Sequence, residues 1–532
     1  MPRVNANHRV VLMSVAAILL IRVAVLTQTA RADMPRMPVI AENGFGDSAN
    51  SYAWSMAWFK GALYVGTARD ALCVERATIA FYLPWGSYYT TRPAPDVSCP
   101  PAIADADLRA EIWRYSPRTQ RWTRVYRSPT VPNPEAGGRP IARDIGYRGM
   151  VVLGGPGRPS TLAVAGVTAD EFIPELARPS PPRILLTTDG THFRPVAAGP
   201  GVTQDTLGPR RPIGYRAMAV LDGQLYVTAS GGLTGDGVVL RVTDPSGPSP
   251  RFTQVSPSRL DVFELTTFDG HLYAGTGDFQ RGYGVWRADG RRTLRWTPVV
   301  TGGAGRGPLV TSVVSMQSYR GQLYVGASGW GTSTFPVSEL IRIGTDNRWD
   351  VVVGAPRSVD GTVKTPVSGL TDGFGNPYNL HFWRMVTYEG ALLLGTNDSS
   401  WSLNGFPGVT DALRAQFGFD LYGTCDGNTW WTATRNGFGR PFDFGVRTMV
   451  SSPAGLFLGT TNLVQGTTIR QSRAHPCPAG QTRARIARVP RRARWSRYAR
   501  LRGHQPFGSD LATGLSPLAA SDVGRLRGRL HR

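Results

Sequence analysis

Four arginines lie near the start of recurring apolar segments: Arg148 and Arg216 in Gly-Tyr-Arg-x-Met, Arg384 just before Met385 and Arg447 before Met449. A guanidinium offers a planar fork of donors that fits a carboxylate or a sulfate through two parallel hydrogen bonds. Several such forks converging on one channel would hold an anion; the same arginines would equally serve as partners for acids of neighbouring segments. A second polar group follows Asp372-Gly373-Phe374-Gly375, where Asn376, Tyr378, Asn379 and His381 would form a polar and aromatic rim suited to a sugar or a peptide. Trp330 and Trp401 would stack on a sugar ring or cover loop backbone. Asp278, Asn397 and Asp398 offer oxygen ligands that would suit a calcium ion, but no spacing matches a dedicated calcium loop, so capping and turn roles are expected and no cofactor is required.

The same residues exclude several chemistries. The chain has no Gly-x-Ser-x-Gly elbow, no His-Glu-x-x-His and no phosphate-binding glycine loop. No pair of carboxylates stands out as a glycosidase acid and nucleophile. A binding scaffold rather than an enzyme is therefore expected.

The elements that must position these side chains repeat. Seven times an apolar anchor, usually Met, opens a strand, a turn follows, and a second strand of the type Leu-Tyr-Val-Gly-Thr returns; the anchors are Met56, Met150, Met218, Leu265, Met316, Met385 and Met449. Asp222-Gly223 and Asp269-Gly270 mark tight hairpins, since glycine accepts the positive φ such turns need. A third strand recurs at Ile112-Trp113-Arg114, Val239-Leu240-Arg241 and Leu340-Ile341-Arg342, and a fourth opens on an aromatic such as Trp122, Trp296 or Trp349. A period of roughly 50 residues built from four strands predicts an all-β, seven-bladed β-propeller, with six blades as the alternative. Pro38 to Gly46 parallels Trp431 to Gly439, so an N-terminal strand is expected to complete the last blade and close the ring.

Asn43-Gly44-Phe45-Gly46, Asp372-Gly373-Phe374-Gly375 and Asn436-Gly437-Phe438-Gly439 each place their Phe 11 residues before an anchor. The threefold recurrence favours a loop folded on its Phe, with glycine allowing close backbone approach. The long passages, residues 68–110, 129–145, 355–380 and 397–418, fall on one face of the ring, which makes that face the expected ligand face.

Arg3 and Arg9, the apolar run Val10 to Ile21 and Ala30-Arg31-Ala32 read as a secretory signal over residues 1–32, cleaved after Ala32. The propeller occupies residues 33–478. The formal charge of +22 is unevenly spread: residues 479–532 hold 13 Arg against Asp510 and Asp522 and read as a disordered basic tail, while residues 33–478 keep only +7. Nucleic acid is therefore not an expected partner, although the tail would contact anionic surfaces. Four cysteines suit an oxidising compartment, with Cys73–Cys99 across one insertion and Cys425–Cys477 pinning the chain end. A secreted or periplasmic protein, not integral to the membrane, follows.

Thr187-Thr188-Asp189-Gly190-Thr191-His192-Phe193 and Thr424-Cys425-Asp426-Gly427-Asn428-Thr429-Trp430 look like shortened Asp boxes. On these turns the chain resembles secreted bacterial propellers of the BNR/Asp-box, sialidase-like group. That resemblance implies a propeller, and for a sialidase an arginine triad and a Tyr–Glu nucleophile pair. The chain departs from it: it lacks Phe/Tyr-Arg-Ile-Pro near the mature N-terminus, and Glu264 is the nearest glutamate to an inner strand. The expected function is binding of a glycan or of an envelope or extracellular protein on the long-loop face. A glycan-degrading hydrolase or lyase with its site at the channel mouth, and a structural part of an envelope complex, are the alternatives.

Overall fold

The computed structural model describes residues 37–477 apart from 83–96, 133–137, 156–157, 169–181, 197–202, 206–207, 211–213, 231–236, 248, 259, 291–292 and 330–336. Residues 1–32, expected to be a signal sequence, the tail 479–532 and Trp330 lie outside the described residues.

The structure is all-β. Among the described residues the strands pair in consecutive antiparallel sets of four. The first set, for example, is Asn50–Phe59, Ala62–Arg69, Glu111–Ser116 and Arg121–Arg127. The sixth is Asn379–Tyr388, Ala391–Asp398, Leu421–Thr424 and Trp430–Thr434. In the last set Gly445–Ser452, Gly455–Thr461 and Ile469–Ser472 are joined by Val39–Ala41, with Val39 opposite Arg470. The innermost strand of each set packs against that of the next, and the last, Gly445–Ser452, packs back against the first, Asn50–Phe59. This stacking of four-stranded sheets is a β-propeller.

Local chemistry explains the repeat. The first hairpin of five of the sets turns on two residues with positive φ: Lys60-Gly61, Asp222-Gly223, Asp269-Gly270, Arg320-Gly321 and Glu389-Gly390. That geometry matches the right-handed twist of the flanking strands. The Gly of Leu-Tyr-Val-Gly-Thr has a different reason: it lets the neighbouring sheet approach. A Cβ on Gly66 would stand 2.7 Å from Tyr147 Cβ, one on Gly326 2.8 Å from Phe382 O, and one on Gly459 2.6 Å from Ala53 Cβ. Each contact is with the inner strand of the next set, and that of Gly459 joins the last set to the first.

The core is correspondingly divided. One apolar cluster lies between each neighbouring pair of sheets; Met56, Leu63, Val65, Tyr115, Phe457 and Ile469, for example, lie between the first and last. A further cluster sits at the centre, around Tyr52, Trp54, Val314 and Trp383. The insertion at 68–110 joins this central cluster through Leu72, Val74 and Leu108.

Two turns between third and fourth strands are built alike. Asp189 Oδ1 accepts from the backbone N–H of Thr191 and His192, and Thr187 Oγ1 accepts from Gly190 N–H. Asp426 Oδ1 and Thr424 Oγ1 do the same for Asn428, Thr429 and Gly427. Both predicted disulfides, Cys73–Cys99 and Cys425–Cys477, are present. Among the described residues no helix is long and apolar enough to cross a membrane.

Candidate ligand-binding channel

Every inner strand carries a β-bulge just before its anchor. Pairing skips from Ala53 to Ser55, Tyr147 to Gly149, Tyr215 to Met218, Val262 to Glu264, Val313 to Ser315, Phe382 to Arg384 and Val446 to Thr448. A bulged residue leaves the ladder and its side chain is re-aimed. The residues so released are Trp54, Arg148, Arg216 (with Ala217), Phe263, Val314, Trp383 and Arg447. One bulge per inner strand at one level thus makes a collar of three arginines, three aromatic rings and a valine.

The arginines lie on the rings of adjacent sheets. Arg148 sits 5.1 Å from the Trp54 ring, Arg216 4.6 Å from Phe263 and Arg447 5.1 Å from Trp383. Such cation–π contacts are worth about 1–2 kcal/mol when desolvated. The Arg447 guanidinium is held well below its usual range by burial, then by Arg148 and Arg216, with Arg384 adding to the repulsion and Glu264 opposing it. Arg306 and Arg357, elsewhere in the ring, pair directly with carboxylates. Arg357 Nη1 donates to Glu339 Oε2 at 2.8 Å and Arg306 Nη1 to Asp372 Oδ1 at 2.6 Å.

His381 belongs to the same cluster. Only 5 % exposed, it shares a 2.6 Å hydrogen bond between Nδ1 and Ser328 Oγ, while its Nε2 is buried without a hydrogen-bond partner. Burial, then Arg216 and Arg447, push its pKa down to about 3, so the ring is neutral at physiological pH. Arg447 is 6 % exposed and its Nε also lacks a hydrogen-bond partner. Arg216, Glu264 and Arg384 keep partial exposure, so the cluster is not sealed. Tyr52 completes it: burial and Glu75 raise its hydroxyl pKa, and Arg447 and Arg148 oppose that rise.

The other candidates separate from this cluster. Asn379 is buried, and its amide donates to Gly373 O at 2.9 Å and to Asp420 Oδ2 at 2.8 Å. Asn50 makes the equivalent bonds to Gly44 O and Glu111 Oε2, at 2.9 and 3.0 Å. The Gly-Phe loops are therefore scaffold: Phe45 and Phe374 adopt φ of 65° and 57°, and stack on Trp113 and Tyr422. Gly303 and Ala304 repeat that conformation without the motif, a copy the sequence does not announce. Asn376 donates to both Asp398 and Asp420, and half-buried Tyr378 sits beside Asp398. These three residues thus brace the loop rather than forming an open polar rim.

Trp401 is buried and stacked on Phe444, so it covers core instead of offering a sugar platform. Asp278 caps a turn through Gln280 N–H and Arg281 N–H, Asp398 caps Ser400 N–H, and Asn397 is buried. Among the described residues no three His, Cys, Asp or Glu side chains gather into a metal-binding group.

Trp54, Phe263, Val314 and Trp383, which complete the collar, were not singled out by sequence reasoning. Their signal was present: Trp54, Phe263, Val314 and Trp383 stand two residues before Met56, Leu265, Met316 and Met385, the spacing of Arg148, Arg216 and Arg447.

No protein-family model matches the chain, and no curated protein matches it. Among solved structures it is similar to one described as the mitotic checkpoint complex, with a TM-score of 0.41, 10 % identity, and 84 % of this chain and 97 % of that one covered. It is similar to the polysaccharide lyase Uly1 at a TM-score of 0.44, 9 % identity, and 84 % and 93 % covered. Against a prolyl endopeptidase the TM-score is 0.35 at 12 % identity, with 77 % of this chain and 46 % of that one covered. At such identities the activities and partners of those proteins remain their own.

Proposed function

We propose that the chain is a secreted, seven-bladed propeller, closed by the Val39–Ala41 strand, that binds the anionic group of a glycan in its central channel without catalysis. The Thr187–Phe193 and Thr424–Trp430 turns are read as Asp-box turns, and residues 1–32 as its export signal. The observation that carries the binding reading is the convergence of Arg148, Arg216 and Arg447 at one level of the collar, with Arg148, Arg216 and Arg384 crowding Arg447 and Glu264 opposing them. Like charges held together in a low dielectric are costly, and an arriving carboxylate or sulfate relieves that cost with charge-assisted hydrogen bonds. The aromatic faces of Trp54 and Trp383 in the same collar supply apolar surface for a sugar ring. The buried Asp398 and Asp420 are read as braces of the neighbouring loop: Asn376 donates to Oδ2 of both, and Asn379 and Tyr422 donate to Asp420 Oδ2.

A glycan array comparing uronate-bearing, sulfated and neutral glycans tests this. Retention of anionic glycans by the wild-type chain, and its loss in Arg447→Met, is expected. Equal retention of neutral glycans, or none of any class, would reject it.

A further inference from the structure

The channel already contains a carboxylate on a separate tether. The helix Ala71–Tyr82 leaves the second strand of the first sheet and turns into the ring. Leu72 and Val74, at its start, are 2 % and 5 % exposed and pack in the same cluster as Tyr52, Trp54, Val314 and Trp383. Glu75, the next residue, is 5 % exposed, and its carboxylate couples to the Tyr52 hydroxyl, on which Arg447 and Arg148 also act.

The segment is fastened from several sides. Asp70 N–H donates to Ala49 O at 2.7 Å, Ala71 N–H to Ser51 Oγ at 3.3 Å and Val74 N–H to Asp70 O at 3.0 Å. Cys73 is bonded to Cys99, and Arg76 Nη1 reaches Cys99 Sγ at 3.5 Å. A glutamate would not be carried into an apolar cluster without cations to meet it, because burying a lone carboxylate is strongly unfavourable. The apolar pair packs with the aromatic rings of the collar, and the carboxylate lies buried beside them, acting on the same Tyr52 hydroxyl as Arg447 and Arg148.

Resting on the anion-binding reading above, we infer that Leu72, Val74 and Glu75 form a built-in stand-in for the ligand, which an incoming ligand must displace from the collar. The ligand then shares their chemistry: a carboxylate or sulfate set beside an apolar face, as in a uronate or sulfated sugar whose C–H face meets Trp54 or Trp383. Glu75 sets the affinity threshold. While the segment occupies the collar, only a fraction of molecules is open to ligand, and the apparent affinity falls by that fraction.

Sulfate titration followed by tryptophan fluorescence tests this, with the full chain as wild type, Glu75→Gln and Val74→Ala. Glu75→Gln removes the competing charge and is expected to bind sulfate about tenfold more tightly than wild type. Val74→Ala keeps the charge but loosens the seat, with an expected gain of about threefold; it also decides the matter if thermal melting shows that Glu75→Gln does not fold. Saturable binding by wild type with no gain in either folded variant overturns the stand-in and leaves the anion site intact. No saturable response in any of the three overturns both.

Discussion

Removing everything before Glu42 takes away the strand that joins the last sheet, and its cost can be worked from named contacts. Met37 is 1 % exposed, and burying such a side chain contributes about 2 kcal/mol. Arg470 Nη1 donates to Met37 O at 2.9 Å, a bond to a charged group worth about 2 kcal/mol. Trp122 Nε1 donates to Ile40 O at 2.9 Å and Gln471 N–H to Pro38 O at 3.0 Å, each worth about 1 kcal/mol. Taken together the loss is about 6 kcal/mol, against a total of about 5–15 kcal/mol for a typical folded protein. The truncated chain is expected to lose roughly half its urea midpoint, and the amides of Ile469–Ser472 to lose hydrogen-exchange protection first. Urea unfolding followed by tryptophan fluorescence, together with hydrogen exchange by mass spectrometry, reads both. An unchanged midpoint with unchanged protection at 469–472 would refute the closure argument, because those contacts would then contribute nothing to holding the ring.

Gly395→Ala drives a methyl group to within 2.5 Å of Val446 Cγ2 on the next inner strand; it is expected to cost about 3 kcal/mol. Gly390→Ala meets nothing within 4 Å and carries only the strain of φ +78°, about 1 kcal/mol; thermal melting that ranks the two the other way would contradict the close-approach account. Asp398 is pushed up to about 7 by burial, then by Asp420. Its folded-state pKa therefore lies above the unfolded value of about 4, so its contribution to stability is fully present below that value and is lost as pH rises toward 7. Asp398→Asn should flatten this decline, so the melting temperature of wild type relative to the variant falls between pH 4 and 7, and parallel profiles would reject the assignment. His381, held down to about 3, gives a slope of opposite sign between about 3 and 6.5 that cancels in the comparison.

The repeat was legible because each of its letters has a separate physical cause. The Asp-Gly hairpins, the small residue at Gly66, Gly326, Gly395 and Gly459, and the Tyr64 and Tyr324 side chains between sheets are all local requirements of one stacked unit. The disulfide pairs followed from the positions of Cys73, Cys99, Cys425 and Cys477 relative to those units. The grouping of Arg148, Arg216 and Arg447 was legible for the same reason, since equal distance from an anchor means equal height in the ring. The aromatic partners were legible by that rule but overlooked, because tryptophans near Met anchors read as ordinary core. The bonds that Asn376 and Asn379 make to Asp398, Asp420 and Gly373 O were not legible, because an amide that braces a loop looks, in sequence, like any polar loop residue. The part played by Glu75 was not legible at all. It depends on an insertion folding back into the channel, a contact between one helix and several distant inner strands that no local pattern encodes.

The anion site is tested most directly by isothermal titration of the full chain with glucuronate and with glucose, repeated on Arg148→Met and Arg447→Met. Saturable binding of glucuronate but not glucose, weakened about tenfold or more in both variants, is the expected result. Indifference between the acid and the neutral sugar, or binding that both variants retain undiminished, would contradict an arginine-collared channel as the seat of recognition.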